Sequence, residues 1–355
     1  MLPKQEMRVE AEAETKLIDA DRRGSEPALR VFEDAARDNA SNQEVTSEVD
    51  EWGQTWYSRF APVQAAFQTS SMPPGAFIAS RDVNTGGSKM YTAFNSTQAF
   101  EEYTARMIAS RRTPHLYEIL LASEASWLYS DLDYTSRADD PHDFLERLHH
   151  LHRLLEHFCT HVMQLPSGLL QGPQVAASHG ALSHGLYKNS VHEVWKGVYF
   201  SDLEARAEFK TAFSHFLDHP PAELARSAEF IGYTKPDSGK REKIWDDSVY
   251  SRNRNWRTLR SSKLGSTRIL CPDESSSERV SDHLIGVRDE QELARAHKID
   301  VRPLQRYNEA AGVGGTSSRT AQGRVNERQI PLRYFSKQHE PLERDLGPEE
   351  RARLL

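Results

Sequence analysis

Apolar residues first gather at Trp52, Trp56, Tyr57, Phe60 and Phe67, after some fifty charged, aromatic-poor positions. Within that leader only EPALRVFEDAA, Glu26 to Ala36, has the periodicity of a short helix; the remainder reads as flexible. The stretch from Ala76 to Ala93 predicts a hairpin, FIASRDV and MYTAF flanking the turn NTGGSK. Phe100, Tyr103 and Met107 recur on one face of a helix from Thr97 to Ser110. LYEILLASEASWLYSDLDY then reads as strand, ending at Asp131 and Asp133. DDPHDFLERLHHLHRLLEHFCTHVMQL is a strong amphipathic helix with an acidic, proline-containing start. Strands follow at Val175 to Ser178 and Ser190 to Trp195, a helix from Leu203 to Leu217, and a basic, strand-like stretch from Asp246 to Arg268. Past residue 290 the composition turns to Gly, Ser, Arg and Gln and predicts disorder. The organisation is therefore a flexible region 1–50, an α/β or α+β core at 51–287, and a largely disordered tail at 288–355 without a zinc finger.

Composition narrows the class. The 355 residues carry 45 Lys plus Arg against 52 Asp plus Glu, a formal charge of −7, which argues against a generally basic nucleic-acid coat. A local basic groove remains open, because acidic segments mask it in the sum. Two cysteines, Cys159 and Cys271, exclude a disulfide framework and point to a reducing, intracellular setting. No run of 18 apolar residues is present, so no membrane partner is expected. The acidic N-terminus fits neither a signal peptide nor a transit peptide.

Three clusters offer chemistry. In Tyr129-Ser130-Asp131-Leu132-Asp133-Tyr134, strand alternation turns both carboxylates to one side, where a divalent cation would relieve their repulsion. A strand end with two solvated aspartates has the same pattern. In Lys188-Asn189-Ser190-Val191-His192, the same alternation lines up an ammonium, a hydroxyl and an imidazole, donors suited to a triphosphate. An exposed edge strand would also read this way. The third cluster, IWDDSVYSRNRNWRTLRSSKLG, opens with Asp246 and Asp247. From Tyr250 to Arg268 it then has six basic residues and no acidic one. Arg252, Arg254, Arg257, Arg260, Lys263 and Arg268 alternate with Tyr250 and Trp256, a combination suited to phosphates and stacked bases. The histidines His149, His150, His152, His157 and His161 share one helix, but no H-E-x-x-H motif accompanies the His157/His161 spacing. Cys159 is expected to pack inward from that helix.

In this order the clusters resemble the three motifs of the archaeo-eukaryotic primase superfamily, in its eukaryotic primase-polymerase and large-virus branch. YSDLDY resembles the acid-x-acid motif and KNSVH the lysine-preceded Ser-x-His. D-D-S-VYSRNRNWRTLRSSKLG is similar over some fifteen positions to the third motif, and WYSRFAPVQAAF with the early hairpin resembles the family's opening. The resemblance covers about residues 52 to 287. It implies a two-module fold with an RRM-like sheet in the second module. It also implies template-directed nucleotidyl transfer on single-stranded DNA by a DNA polymerase/primase, with a place in replication restart, damage tolerance or translesion synthesis. Asp131, Asp133 and Asp246 would be the catalytic acids and ligands of two divalent ions, Mg²⁺ or Mn²⁺. Arg81, Lys188, Ser190, His192, Arg254, Asn255, Arg257 and Lys263 would contact nucleotide or template. Its implied partners are template, primer, dNTPs or NTPs, and single-strand-binding proteins or a helicase, in a nuclear, mitochondrial or viral setting.

Three departures stand out. Asp133 replaces the glutamate common in close relatives. Glu193 replaces an apolar residue after His192 and predicts a more exposed strand. After Lys263 only Cys271 remains, so a family zinc module is not expected, nor structural zinc; extension is expected over de novo priming. The competing readings are a catalytically weak single-stranded nucleic-acid-binding protein, a metal-dependent nuclease, and a primase subunit needing a partner.

Overall fold

The computed structural model describes residues 46–69, 72–137, 141–166, 168–170 and 172–313. The leader helix expected at Glu26 to Ala36 and the Gly/Ser-rich tail from residue 314 lie outside the described residues. The protein is a mixture of helices and mainly antiparallel sheets, in agreement with the α+β expectation. It divides into two compact units, each assembled from separated stretches of chain. Among the described residues, the first takes those from 46 to 120 with Asn255–Ile269 and Arg279–Ala294; the second takes those of Leu121–Arg254 and Leu270–Glu278 and those from 295 to 313.

The first unit is built on six strands: β1 (Ser47–Val49), β2 (Thr55–Tyr57), β3 (Phe77–Asp82), β4 (Lys89–Phe94), β5 (Leu116–Leu120) and, much later, β12 (Arg254–Arg257). Their order is β1-β2-β4-β3-β5-β12. The expected hairpin is present, with Phe77 opposite Phe94 and Asp82 opposite Lys89. Helices α1 (Phe60–Thr69) and α2 (Thr97–Ala109) accompany this sheet, and Ser96 starts α2 by accepting a hydrogen bond from the Ala99 N–H at 3.1 Å. Trp56, Phe77, Phe94, Phe100 and Tyr103 are all buried and meet at aromatic distances; of the aromatics that mark the start of folded structure in the sequence, Trp56 and Tyr57 are buried here, while Trp52, Phe60 and Phe67 are only half-buried.

The second unit centres on two long strands, β6 (Ser126–Ser136) and β9 (Tyr187–Phe200). They pair antiparallel along almost their whole length, with a bulge at Trp127/Leu128. The other edge of β9 takes β7 (Gln174–Ala177), β8 (Gly180–Ala181) and, in parallel, β14 (His297–Lys298), while β13 (Cys271–Pro272) adds to β7. Helices α3 (Pro141–His161) and α4 (Leu203–Asp218) supply the apolar layer. Leu151, Leu154, Leu155, Phe158 and Cys159 of α3 are buried, as are Phe209, Phe213 and Phe216 of α4. Asp202 caps α4 through a 2.9 Å hydrogen bond from the Ala205 N–H. Short α5 (Ala225–Phe230) leads into the hairpin β10 (Gly232–Thr234) and β11 (Arg241–Lys243).

Three features differ from the sequence reading. The apolar run that suggested one strand is two, β5 and β6, separated by a turn in which Leu121 N–H bonds to Glu124, and Asp131 and Asp133 lie mid-strand. Of the stretch Asp246 to Arg268 only β12 is strand; Asn253 and Arg260 are left-handed at φ 51° and 68° and break the rest into turns. Regular structure also runs past residue 287, through α6 (Glu290–Arg295), β14 and α7 (Val301–Ala311). Leu304 of α7 is fully buried, and Asn308 reaches the Glu208 carboxylate of α4 at 2.7 Å. No helix among the described residues is long and apolar enough to cross a membrane.

Candidate active site

Backbone register decides which side chains meet. Between β6 and β9, Asp131 lies opposite His192, Asp133 opposite Ser190, and Thr135 opposite Lys188. Side chains directly opposed across an antiparallel pair share a face, so the carboxylate pair and the Lys/Ser/His row form one surface. The alternate residues, Leu132, Val191, Glu193 and Asn189, are buried.

The far edge of β6 receives the third acid. Leu132 bridges Trp245, the Asp133 N–H bonds to the Ile244 carbonyl at 2.8 Å, and the Asp246 N–H bonds to the Asp131 carbonyl at 2.9 Å. Asp246 therefore stands across from Asp131 on the same face. The segment is anchored from behind: buried Trp245 packs edge-on against Phe213, and Tyr250 stacks on Tyr129 at 4.8 Å while donating its hydroxyl to the Tyr129 carbonyl. The aspartate and VY of the third motif thus fix this crossing strand to β6.

Electrostatics within the site are strained. Burial first, then the charge of Asp133, push the Asp131 carboxyl up to about 7, with Arg254 opposing the shift and Asp246 adding to it. The Arg254 guanidinium and the His192 ring each stand 3.7 Å from Asp131, whose side chain is only 13% exposed. Lys188 Nζ lies 2.6 Å from Asp133 Oδ2. The Oδ1 atoms of Asp131 and Asp133 are buried without a hydrogen bond, which costs free energy unless another group satisfies them.

Hard oxygen donors with unmet valence are what Mg²⁺ or Mn²⁺ takes, so the residues fit the ions that the family resemblance implies. Among the described residues, however, no group of three or more His, Cys, Asp or Glu side chains is arranged to hold a metal ion. The Asp246 carboxylate accepts a 2.9 Å hydrogen bond from the Ser248 N–H, and Asp133 faces Lys188. Each of these carboxylates keeps a second oxygen clear of that partner: Lys188 meets Asp133 at Oδ2, and the Ser248 N–H meets Asp246 at Oδ1. A cavity of about 1020 Å³ is lined by Asp133, Lys188 and Asp246 together with the β10–β11 hairpin.

Asp131, Asp133, Asp246, Lys188, Ser190, His192 and Arg254 are thus gathered in the second unit. Arg81, Asn255, Arg257 and Lys263 belong to the first. There Ser80 donates to Asn255 Oδ1 at 2.6 Å, and Arg257 is buried while Lys263 is exposed. Arg81 stacks on Trp56 at 4.6 Å and ion-pairs with Glu48 and, at 3.6 Å, with Asp50. Asp82 accepts from Tyr117, from Lys89 and from the Leu264 N–H, holding the backbone beside Lys263. The arrangement of Asp82, Lys89 and Tyr117 had no sequence signal beyond the hairpin itself.

The expectation that Glu193 marks an exposed strand is corrected: its side chain is fully buried, and His152 of α3 lies 2.6 Å from its Oε1. Burial opposes a charged His152, but the Glu193 charge and hydrogen bond outweigh it and raise its pKa. The other histidines of α3 part ways, His150 toward Ser227 and His157 onto His161. Cys159 is buried, as expected. The sequence matches no family model and no curated protein.

Proposed function

We propose that the chain is a template-directed nucleotidyltransferase with the archaeo-eukaryotic primase fold and an RRM-like sheet in its second unit, extending a primer on single-stranded DNA. The observation that carries this reading is the register placing Asp131 opposite His192 and Asp133 opposite Ser190, with Asp246 bound to the other edge of β6. A single-strand binder has no use for carboxylates facing phosphate donors. A nuclease would have no need of the Lys188, Ser190 and His192 row beside them.

In this reading Asp131, Asp133 and Asp246 hold two divalent ions, Mg²⁺ or Mn²⁺. When bound, these activate the primer 3′-hydroxyl and offset charge on the departing pyrophosphate. Lys188 gives up Asp133 and turns its ammonium to the triphosphate. Ser190 and His192 donate hydrogen bonds to it, and Arg254 neutralises charge that builds during transfer. Buried Glu193, paired with the half-buried His152 of α3, braces β9 from behind. No covalent enzyme intermediate is needed.

The test compares the wild type with an Asp131→Ala/Asp133→Ala double variant on a labelled primed template with Mg²⁺ or Mn²⁺. The expected result is extension by the wild type and none by the variant. Template binding by both without extension would favour a binding module. Equal extension by both would remove the site assignment.

A further inference from the structure

We infer that the β10–β11 hairpin is the docking surface for the phosphates of the acceptor strand, the strand whose 3′-hydroxyl attacks. This rests on the nucleotidyltransferase reading and deepens it, because that reading leaves the acceptor strand without a place.

The argument begins with the direction of attack. In-line displacement requires the entering and leaving oxygens on opposite sides of the phosphorus. Across the second unit's sheet the order is β9, then β6, then the Ile244–Asp246 segment. The donors assigned to the triphosphate, Lys188, Ser190 and His192, all lie on β9, to one side of Asp131 and Asp133. The attacking hydroxyl then arrives from the opposite side, over Asp246. The chain that leads directly into that segment is β11.

The hairpin has the chemistry for a phosphate backbone. From Lys235 to Lys243 it carries four cations, Lys235, Lys240, Arg241 and Lys243, against two carboxylates, Asp237 and Glu242, in a chain that is acidic overall. All four cations line the same cavity as Asp133 and Asp246. Arg241 and Lys243 are two residues apart on a strand, about 6.6 Å along it, so each can reach a different phosphate of one strand.

The cations are available for exchange. Lys235 and Lys240 both pair with Glu242, at 3.0 and 3.4 Å, and Lys240 is 72% exposed. Lys243 pairs with the exposed Asp218. Arg241 is exposed and, among the described residues, has no ion pair. Pairs that water reaches on at least one side, as it does here, are weak, and a phosphate can replace the carboxylate.

The experiment measures binding without turnover. Fluorescence anisotropy of the full chain is recorded with a labelled template bearing a recessed primer and with the same template unprimed, for the wild type and for Lys240→Ala/Arg241→Ala. We expect the wild type to prefer the primed template. The double variant should lose about tenfold in affinity for it with little change for the unprimed strand, and its salt dependence should fall by up to about two charges. Equal weakening on both templates, no weakening, or a wild type without preference for the primed end would overturn the inference. If the double variant loses its cooperative unfolding transition, Arg241→Gln is read in the same way. A wild type that keeps the primed-end preference yet does not extend would count against the polymerase reading and leave the docking surface standing. A wild type that extends while the variant binds normally would do the reverse.

Discussion

Asp131 holds its proton far above the pH at which an ordinary carboxylate loses it, because burial and Asp133 penalise a second negative charge. Its unfolded value is 3.8 and its folded value about 7, so between them the folded state binds the extra proton. Without divalent ions, stability should therefore fall as pH rises from about 4 to about 7 and level off above. Urea unfolding of wild type and Asp131→Asn across that window checks this: the slope belongs to the wild type and should vanish in the variant. Divalent affinity should run the other way, rising with pH until Asp131 is ionised, because an ion binds the deprotonated form. His152 adds a separate contribution. Its raised pKa stabilises the fold fully below about 6.5 and loses that contribution as pH rises through the folded value. Glu193→Gln should abolish this upper-window loss while leaving the Asp131 slope in place, a difference that the same unfolding series resolves.

Strand β9 tolerates little change. A Cβ at Gly197 would come within 2.7 Å of the Leu169 carbonyl oxygen, a backbone atom that cannot rotate aside. Gly197→Ala should cost about 1–3 kcal/mol in chemical denaturation, against about 1 kcal/mol for Asp202→Ala at the start of α4. Helix α7 makes a further test. A chain ending after Val287 lacks β14, α7 and buried Leu304, and should lose cooperative unfolding where a chain ending after Val313 keeps it. The element pattern shows what the sequence could reveal. Alternation in YSDLDY and KNSVH turned the right side chains to one face, since period two is local information. That β6 pairs with β9, some sixty residues later and across α3, is a tertiary choice with no local signal. Glu193 looked like an exposure mark because its partner, His152, sits on another element. The chain from Glu290 to Ala311 was hidden by the Gly- and Ser-rich composition that follows it, although VRPLQRYNEAA places Leu304 and Asn308 one helical turn apart.

At the scale of the whole molecule a net charge of −7 coexists with a run of six cations from Tyr250 to Arg268. Template affinity should therefore weaken steeply with salt, and Arg252→Ala, which removes an exposed side chain, should lower the salt slope by about one charge. That basic run also carries the chain from one unit to the other, between Arg254 and Asn255. During synthesis, β5 emerges long before its neighbour β12, and the Thr258 hydroxyl that bonds the Leu116 carbonyl comes 142 residues later. Until then LYEIL is the open margin of a partial sheet on the ribosome, an apolar edge that invites wrong partners. The first unit can close only after Leu121–Arg254, the larger part of the second, has been translated, so the nascent chain has good reason to need a chaperone at this stage.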